Sequence, residues 1–239
     1  MMKDGLFPLK GSPFPLIDTK LHPNFITIPA GTELWRAYKS HYAPDQFNDR
    51  ISDIHFDGGR FEGTLLDPYH YLYLADTPVT ALAETMLRSL RHSGPDGMRE
   101  VPYAMAHGRS LSCLRARYDL TLVSLRFGAD LAAVRQEPTL LDEGNYAVAR
   151  RWSSEIRAQA PDAQGLMWDS RRNRRADAMV LYSDRVEHCE GGPLEVVPDR
   201  GIRDLGSPAG LEQANELLKP LWAEISKPVG SVRQAAGRG

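Results

Sequence analysis

Residues 71–86, YLYLADTPVTALAETM, change their hydrophobic period halfway along. Up to Ala75 the run is almost continuously apolar, as in a strand covered on both faces. Beyond Pro78 the residues Val79, Leu82, Ala83, Met86, Leu87 and Leu90 recur at helical spacing and share one face. Thr77 has an N-cap side chain and Pro78 suits the first helical position, so a helix is expected from 78 to about 92. This unit demands a sheet with a helix packed on it. It also places Glu84 about 130° from the centre of the apolar stripe. Two readings follow for that carboxylate: a solvated residue paired with Arg88 at i,i+4, or a group facing a cleft.

The rest of the chain supplies more strands than helices. TELWRAYKS (32–40) reads as a strand, followed by a long polar connection through residue 69 that contains GGRFEG. Connections of that length more often serve function than merely join elements. LSCLRARYDLTLVSLRF suggests two strands around a turn at Tyr118 and Asp119. NYAVARRWSSEIRAQA is an amphipathic helix with Val148, Ala149, Trp152 and Ile156 inward. GLMWDS and ADAMVLYS read as strands around the basic turn RRNRR, and LEVV (194–197) as a late strand. GLEQANELLKPLWAEIS forms one helix interrupted by Pro220, and GSVRQAAGRG reads as a flexible tail. The expected class is α+β, with an irregular N-terminal arm over 1–30, a catalytic domain over 31–199 and a C-terminal extension over 200–239.

With 239 residues, the chain is long enough to bury a core without disulfides or metals. A formal net charge of −2 gives no electrostatic case for a nucleic-acid or membrane partner. No stretch approaches the ~18 apolar residues of a membrane span, and the N-terminus lacks a signal-peptide pattern. Cys113 and Cys189 share no metal spacing, which fits a reducing cytoplasm. A phosphate loop, H-E-x-x-H, zinc-type Cys/His spacing and G-x-S-x-G are all absent from the sequence.

Besides Glu84, three residues stand out individually. Arg36 lies in an apolar strand and shares a face with Leu34 and Tyr38, so it either points to solvent or presents its planar fork to an anion in a cleft. Tyr73 ends a buried strand as core or as platform. Ser170 starts the RRNRR turn, which is either a solvated loop or a phosphate or partner site.

Taken together, LWRAY, GGRFEG, YLYLADTPVTALAE and GLMWDSRRNRRADAMVLYSDRV resemble, in order, the RES-domain family over about residues 30–190. After GGRF the chain departs from the family pattern, with Glu62 and GTLLD in place of Asn and a short Pro/Gly segment. The resemblance implies a split β core like that of ADP-ribosyltransferases, with NAD as substrate in the cleft. It implies a toxin of a toxin–antitoxin pair, with a helix-turn-helix antitoxin as partner, acting in the bacterial cytoplasm without a metal. The implied chemistry is cleavage of the nicotinamide–ribose bond, with water, inorganic phosphate as co-substrate, or a protein side chain as acceptor. A catalytically silent interaction module is the remaining alternative. By resemblance Glu84, Arg36, Tyr73 and Ser170 take the catalytic roles. Glu84 would stabilise positive charge on the ribose, Arg36 would hold phosphate, Tyr73 would stack, and Ser170 would donate to a phosphate. Tyr38, Arg60, Phe61 and Arg171 or Arg172 would complete the binding surface.

Overall fold

The computed structural model describes residues 20–93, 95–142, 146–186, 188 and 190–228. In chain order the elements are β1 (Phe25–Ile28), β2 (Glu33–Lys39), β3 (Tyr71–Ala75), α1 (Pro78–Met86), β4 (Arg99–Val101), β5 (Arg109–Ala116) and β6 (Leu120–Leu125). The chain continues with α2 (Gly128–Ala133), α3 (Thr139–Asp142), α4 (Tyr146–Gln159), β7 (Gly165–Asp169), β8 (Asp177–Tyr182), α5 (Ser183–Val186), β9 (Leu194–Ile202), α6 (Pro208–Leu218) and β10 (Ala223–Ile225).

Eight strands form one sheet in the order β1-β6-β7-β8-β3-β2-β5-β9, and β10 and β4 form a parallel pair beside it. The sheet is nearly two. β2 pairs with β5 along its whole length, Glu33 opposite Arg115 to Lys39 opposite Arg109. β3 pairs with β8 from Tyr71 opposite Tyr182 to Ala75 opposite Ala178. Between β2 and β3, however, the register contains the single pair Trp35–Ala75. The two halves touch at that point and then part, leaving a cleft between the diverging strands. β5 and β6 follow one another around the expected turn but do not pair, since β5 lies in one half and β6 in the other.

Packing explains the patterns in the sequence. β3 is buried on both faces: Leu72 and Leu74 join Leu34, Leu114 and Met179 on one, while Tyr71 faces Trp152, Ile156 and Trp168 on the other. The break in its burial falls at Tyr73, which is half-buried at the cleft. All four expected inward residues of α4 are buried. α1 and α6 share a third cluster with Ala75, Leu111 and Ile202, which anchors the β2-β5-β9 half.

Local signals set most boundaries. Thr77 caps α1, its hydroxyl accepting from the Thr80 N–H at 3.1 Å, and Pro78 opens the helix. The helix ends at Met86 rather than near 92: Leu87 leaves helical geometry, and the Arg88 carbonyl is satisfied by the Arg172 guanidinium instead of a further turn. The expected N-terminal arm is corrected by β1, which pairs with β6 within the part described; residues 1–19 lie outside the described residues. β9 extends past 197 to Ile202 and so crosses the expected boundary at 199. Beyond Pro220 the helix does not resume. Trp222 turns the chain at a φ of 50°, and Ala223–Ile225 return as β10. The expected tail falls at 230–239, and Cys189 also lies outside the described residues. Among the described residues, no helix is long and apolar enough to cross a membrane.

Candidate active site

A cavity of about 500 Å³ occupies the cleft between the sheet halves. Its walls include Arg36 and Tyr38 from β2, Tyr71 and Tyr73 from β3, Arg88 just after α1 and Arg109 at the start of β5. Gln46, Asn48, Arg50, Gly58, Gly59 and Glu62 from the long connection close it. Four arginines and four phenols, Tyr42 being the fourth, around one space suit an anionic ligand carrying flat or ring-shaped groups.

Arg36 faces this cavity, and its Nη1 also donates to the Pro44 and Gln46 carbonyls at 2.6 and 2.7 Å. It therefore ties down the connection that covers the cleft. Burial lowers its pKa to about 10, so it remains charged at neutral pH. Its guanidinium also lies over the Tyr38 ring at 5.5 Å. Tyr73 is both core edge and cleft wall: its Oη accepts from the Phe61 N–H at 3.0 Å, and its ring stands edge-on to Trp168. Burial, and next the charge of Glu62, push its phenol well above the ordinary range, so it stays protonated.

Glu84 does not pair with Arg88. Its Oε1 accepts from Ser170 Oγ at 2.6 Å, bringing together residues 86 positions apart. Ser170 is fully buried, and the same hydroxyl accepts from the N–H groups of Arg172 and Asn173 at 3.3 and 3.1 Å. Asn173 then docks on α1 through Thr80 Oγ1 at 2.9 Å. The turn reading of Ser170 and its coupling to Glu84 are thus the same arrangement. Its single proton is committed to Glu84, which corrects the expectation that it donates to a phosphate.

Arg60 is buried, stacked over Tyr146 at 5.1 Å, with Arg88 over the same ring at 5.2 Å. Burial lowers the Arg60 pKa, while Tyr146 and Glu84 oppose the shift. Its Nε is buried without a hydrogen-bond partner among the described residues. Glu84, Ser170 and Arg60 flank the cavity without lining it; Arg88 is the α1-side residue on the wall. Phe61 is fully buried against Trp168 at 4.8 Å, a core residue rather than a cleft surface. Arg171 is exposed and not on the wall, whereas Arg172 is half-buried and its pKa is lowered by burial and by the Arg171 charge.

Several residues that the sequence reading did not single out support this geometry. Glu62 is buried and accepts from Ser52 Oγ at 2.5 Å. Arg150, 1% exposed, donates to the Gly59 and Phe56 carbonyls at 2.9 and 3.2 Å and so holds the glycine pair in place. Adjacent glycines were the available signal. A Cβ at Gly59 would lie 2.3 Å from Glu62 Oε1 and 3.1 Å from Tyr73 Oη, and Gly58 adopts a φ of +74°.

A family model described as RES domain matches residues 33–210. No curated protein matches the sequence. Among solved structures, the chain is similar to one in the M. tuberculosis MbcT–MbcA toxin–antitoxin complex, with a TM-score of 0.55 and 17% identity over 80% of this chain and 91% of that one. That likeness shows the fold, a split α+β core.

Proposed function

Since this chain belongs to the RES-domain family, we propose that it is the toxin of a toxin–antitoxin pair and that it cleaves the nicotinamide–ribose bond of NAD. The observation that carries the reading is the Glu84 carboxylate, fixed by a buried serine hydroxyl at 2.6 Å beside an arginine-lined cleft. An antitoxin, of helix-turn-helix type, is the expected partner, and the toxin–antitoxin complex with a similar fold supports such a pairing. The bacterial cytoplasm, where NAD is plentiful, is the proposed place of action.

The residues suit the chemistry. Breaking the glycosidic bond develops positive charge on the ribose, as in glycoside cleavage. A carboxylate that is already oriented stabilises that charge without reorganising during the reaction. Ser170 keeps Glu84 in one rotamer and supplies no second charge. Arg36, with Arg50, Arg88 and Arg109 around the same cavity, offers cations for the diphosphate. Tyr73, neutral and rigidly packed, gives the nicotinamide ring an aromatic edge and limits the space for water.

Induced expression in a bacterial host tests this reading. Growth arrest accompanied by a fall in cellular NAD, both absent with Glu84→Gln at equal protein level, is the expected result. Arrest with an unchanged NAD pool would refute the assigned substrate.

A further inference from the structure

Two carboxylates stand on the cavity wall, the exposed Asp49 and the buried Glu62, and Glu84 is not one of them. Glu62 is 8% exposed, and no cation lies within ion-pair distance of it among the described residues. Buried carboxylates are usually paired, because leaving water is costly for a charge. The surroundings of Glu62 instead hold it through neutral groups. Ser52, itself 2% exposed, donates to Oε2 at 2.5 Å. The two glycines let the backbone close over it: a Cβ at Gly58 would lie 2.9 Å from Oε2, and one at Gly59 2.3 Å from Oε1. Tyr71 and Tyr73 share the same stretch of wall. Arg150, a buried cation on which the Glu62 charge acts, is occupied by the Gly59 and Phe56 carbonyls. This is a fixed, shielded carboxylate facing a cavity.

We propose that Glu62 takes the proton of an attacking water and keeps inorganic phosphate from the same position, so that the chain hydrolyses NAD rather than phosphorolysing it. The proposal rests on the NAD-cleaving reading above and selects among the acceptors that reading leaves open. In the step, the C1–N bond of the nicotinamide ribose breaks and its electron pair leaves with neutral nicotinamide. The water oxygen bonds to C1, and its proton passes to Glu62 and then to solvent, giving ADP-ribose. Water is neutral and donates to a carboxylate. A phosphate dianion at the same point would face like charge inside a partly desolvated cleft. Glu84 and Glu62 thereby divide the work: one stabilises the developing cation, the other accepts the proton. The cavity arginines remain available to the diphosphate.

The test is an NAD reaction of the purified full chain across a titration of inorganic phosphate, with products separated by chromatography. The wild-type protein is expected to yield ADP-ribose alone, at a rate that phosphate does not increase. Glu62→Gln, whose amide oxygen can still accept from Ser52, should lose about 100-fold in hydrolysis and begin to yield ADP-ribose-1″-phosphate when phosphate is supplied. Wild-type protein forming that phosphate ester, or the Gln variant hydrolysing at the wild-type rate, would overturn the proposal while leaving NAD cleavage standing. No NAD turnover in any buffer would overturn the underlying reading, and this inference with it. The wild-type titration needs no variant, so a variant that fails to fold does not protect the claim.

Discussion

Replacing Ser170 by alanine separates orienting Glu84 from touching substrate. The hydroxyl makes three hydrogen bonds: one donated to Glu84 at 2.6 Å and two accepted from the Arg172 and Asn173 N–H groups at 3.3 and 3.1 Å. A bond to a charged group contributes about 1.5–3 kcal/mol and a neutral one about 0.5–1.5 kcal/mol. The two N–H groups sit in a half-buried turn where water can replace part of what is lost. The expected loss of folding stability is therefore ~2–4 kcal/mol. Catalysis should feel mainly the bond to Glu84: a free carboxylate samples other rotamers, and ~1.5–3 kcal/mol at the transition state is about 10–150-fold in kcat. KM should hardly move, because the hydroxyl's proton is committed to Glu84 and Ser170 does not line the cavity. Urea unfolding gives the first quantity, and steady-state nicotinamide release well below the unfolding midpoint gives the second. A rise in KM at constant kcat would refute the argument and return Ser170 to a phosphate contact. Wild-type kcat in a destabilised variant would show that Glu84 needs no orientation.

Arg36→Ala should raise the KM for NAD by about 10-fold or more, since it removes a charged contact and the tie to the Pro44 and Gln46 carbonyls; an unchanged KM would move the phosphate site elsewhere. Gly59→Ala should depress activity and cost ~1–3 kcal/mol, because its Cβ would meet Glu62 and Tyr73; a fully active, stable variant would show that the loop yields freely. Acid titration of stability has a signature at Asp130. Burial alone would raise its pKa, but hydrogen bonds from Ser124, Asn24 and the Phe127 N–H hold it below the ordinary value. Its folded pKa being the lower one, its stabilisation is present above the unfolded value of about 3.9 and disappears as pH falls through the folded value. Asp130→Asn should therefore flatten the acid limb of the unfolding midpoint between those two values, and an unaltered limb would refute the assignment.

What the sequence made legible follows from how local each signal is. Thr77 and Pro78 announce α1 within four residues, and the apolar faces of β3 and α4 are written in their periods. The 170–173 turn could be read, but not its grip on Glu84, because that contact joins residues 86 apart and has no sequence period. The same holds for the opening between β2 and β3, which depends on Trp35–Ala75 being their single register pair. Glu62 and Arg150 were missed for a related reason. A charged residue ordinarily signals surface, and only the tertiary partners Ser52, Gly58 and Gly59 reverse that expectation. The early end of α1 likewise depends on a distant residue, Arg172, supplying the partner for the Arg88 carbonyl. Pro220 did signal a break, but the return of Ala223–Ile225 as a strand needed the partner edge of Arg99–Val101.

The most direct measurement is nicotinamide release from NAD by the purified chain and by Glu84→Gln, followed at saturating substrate. The substitution keeps the shape and the acceptor for Ser170 and deletes only the charge. The account predicts release by the wild-type protein and a loss of about 100–1,000-fold in the variant, with the fold retained. The unfolding midpoint should fall only by the difference between a charged and a neutral hydrogen bond, about 1 kcal/mol. Equal release by both proteins, or none by the wild type, would contradict it.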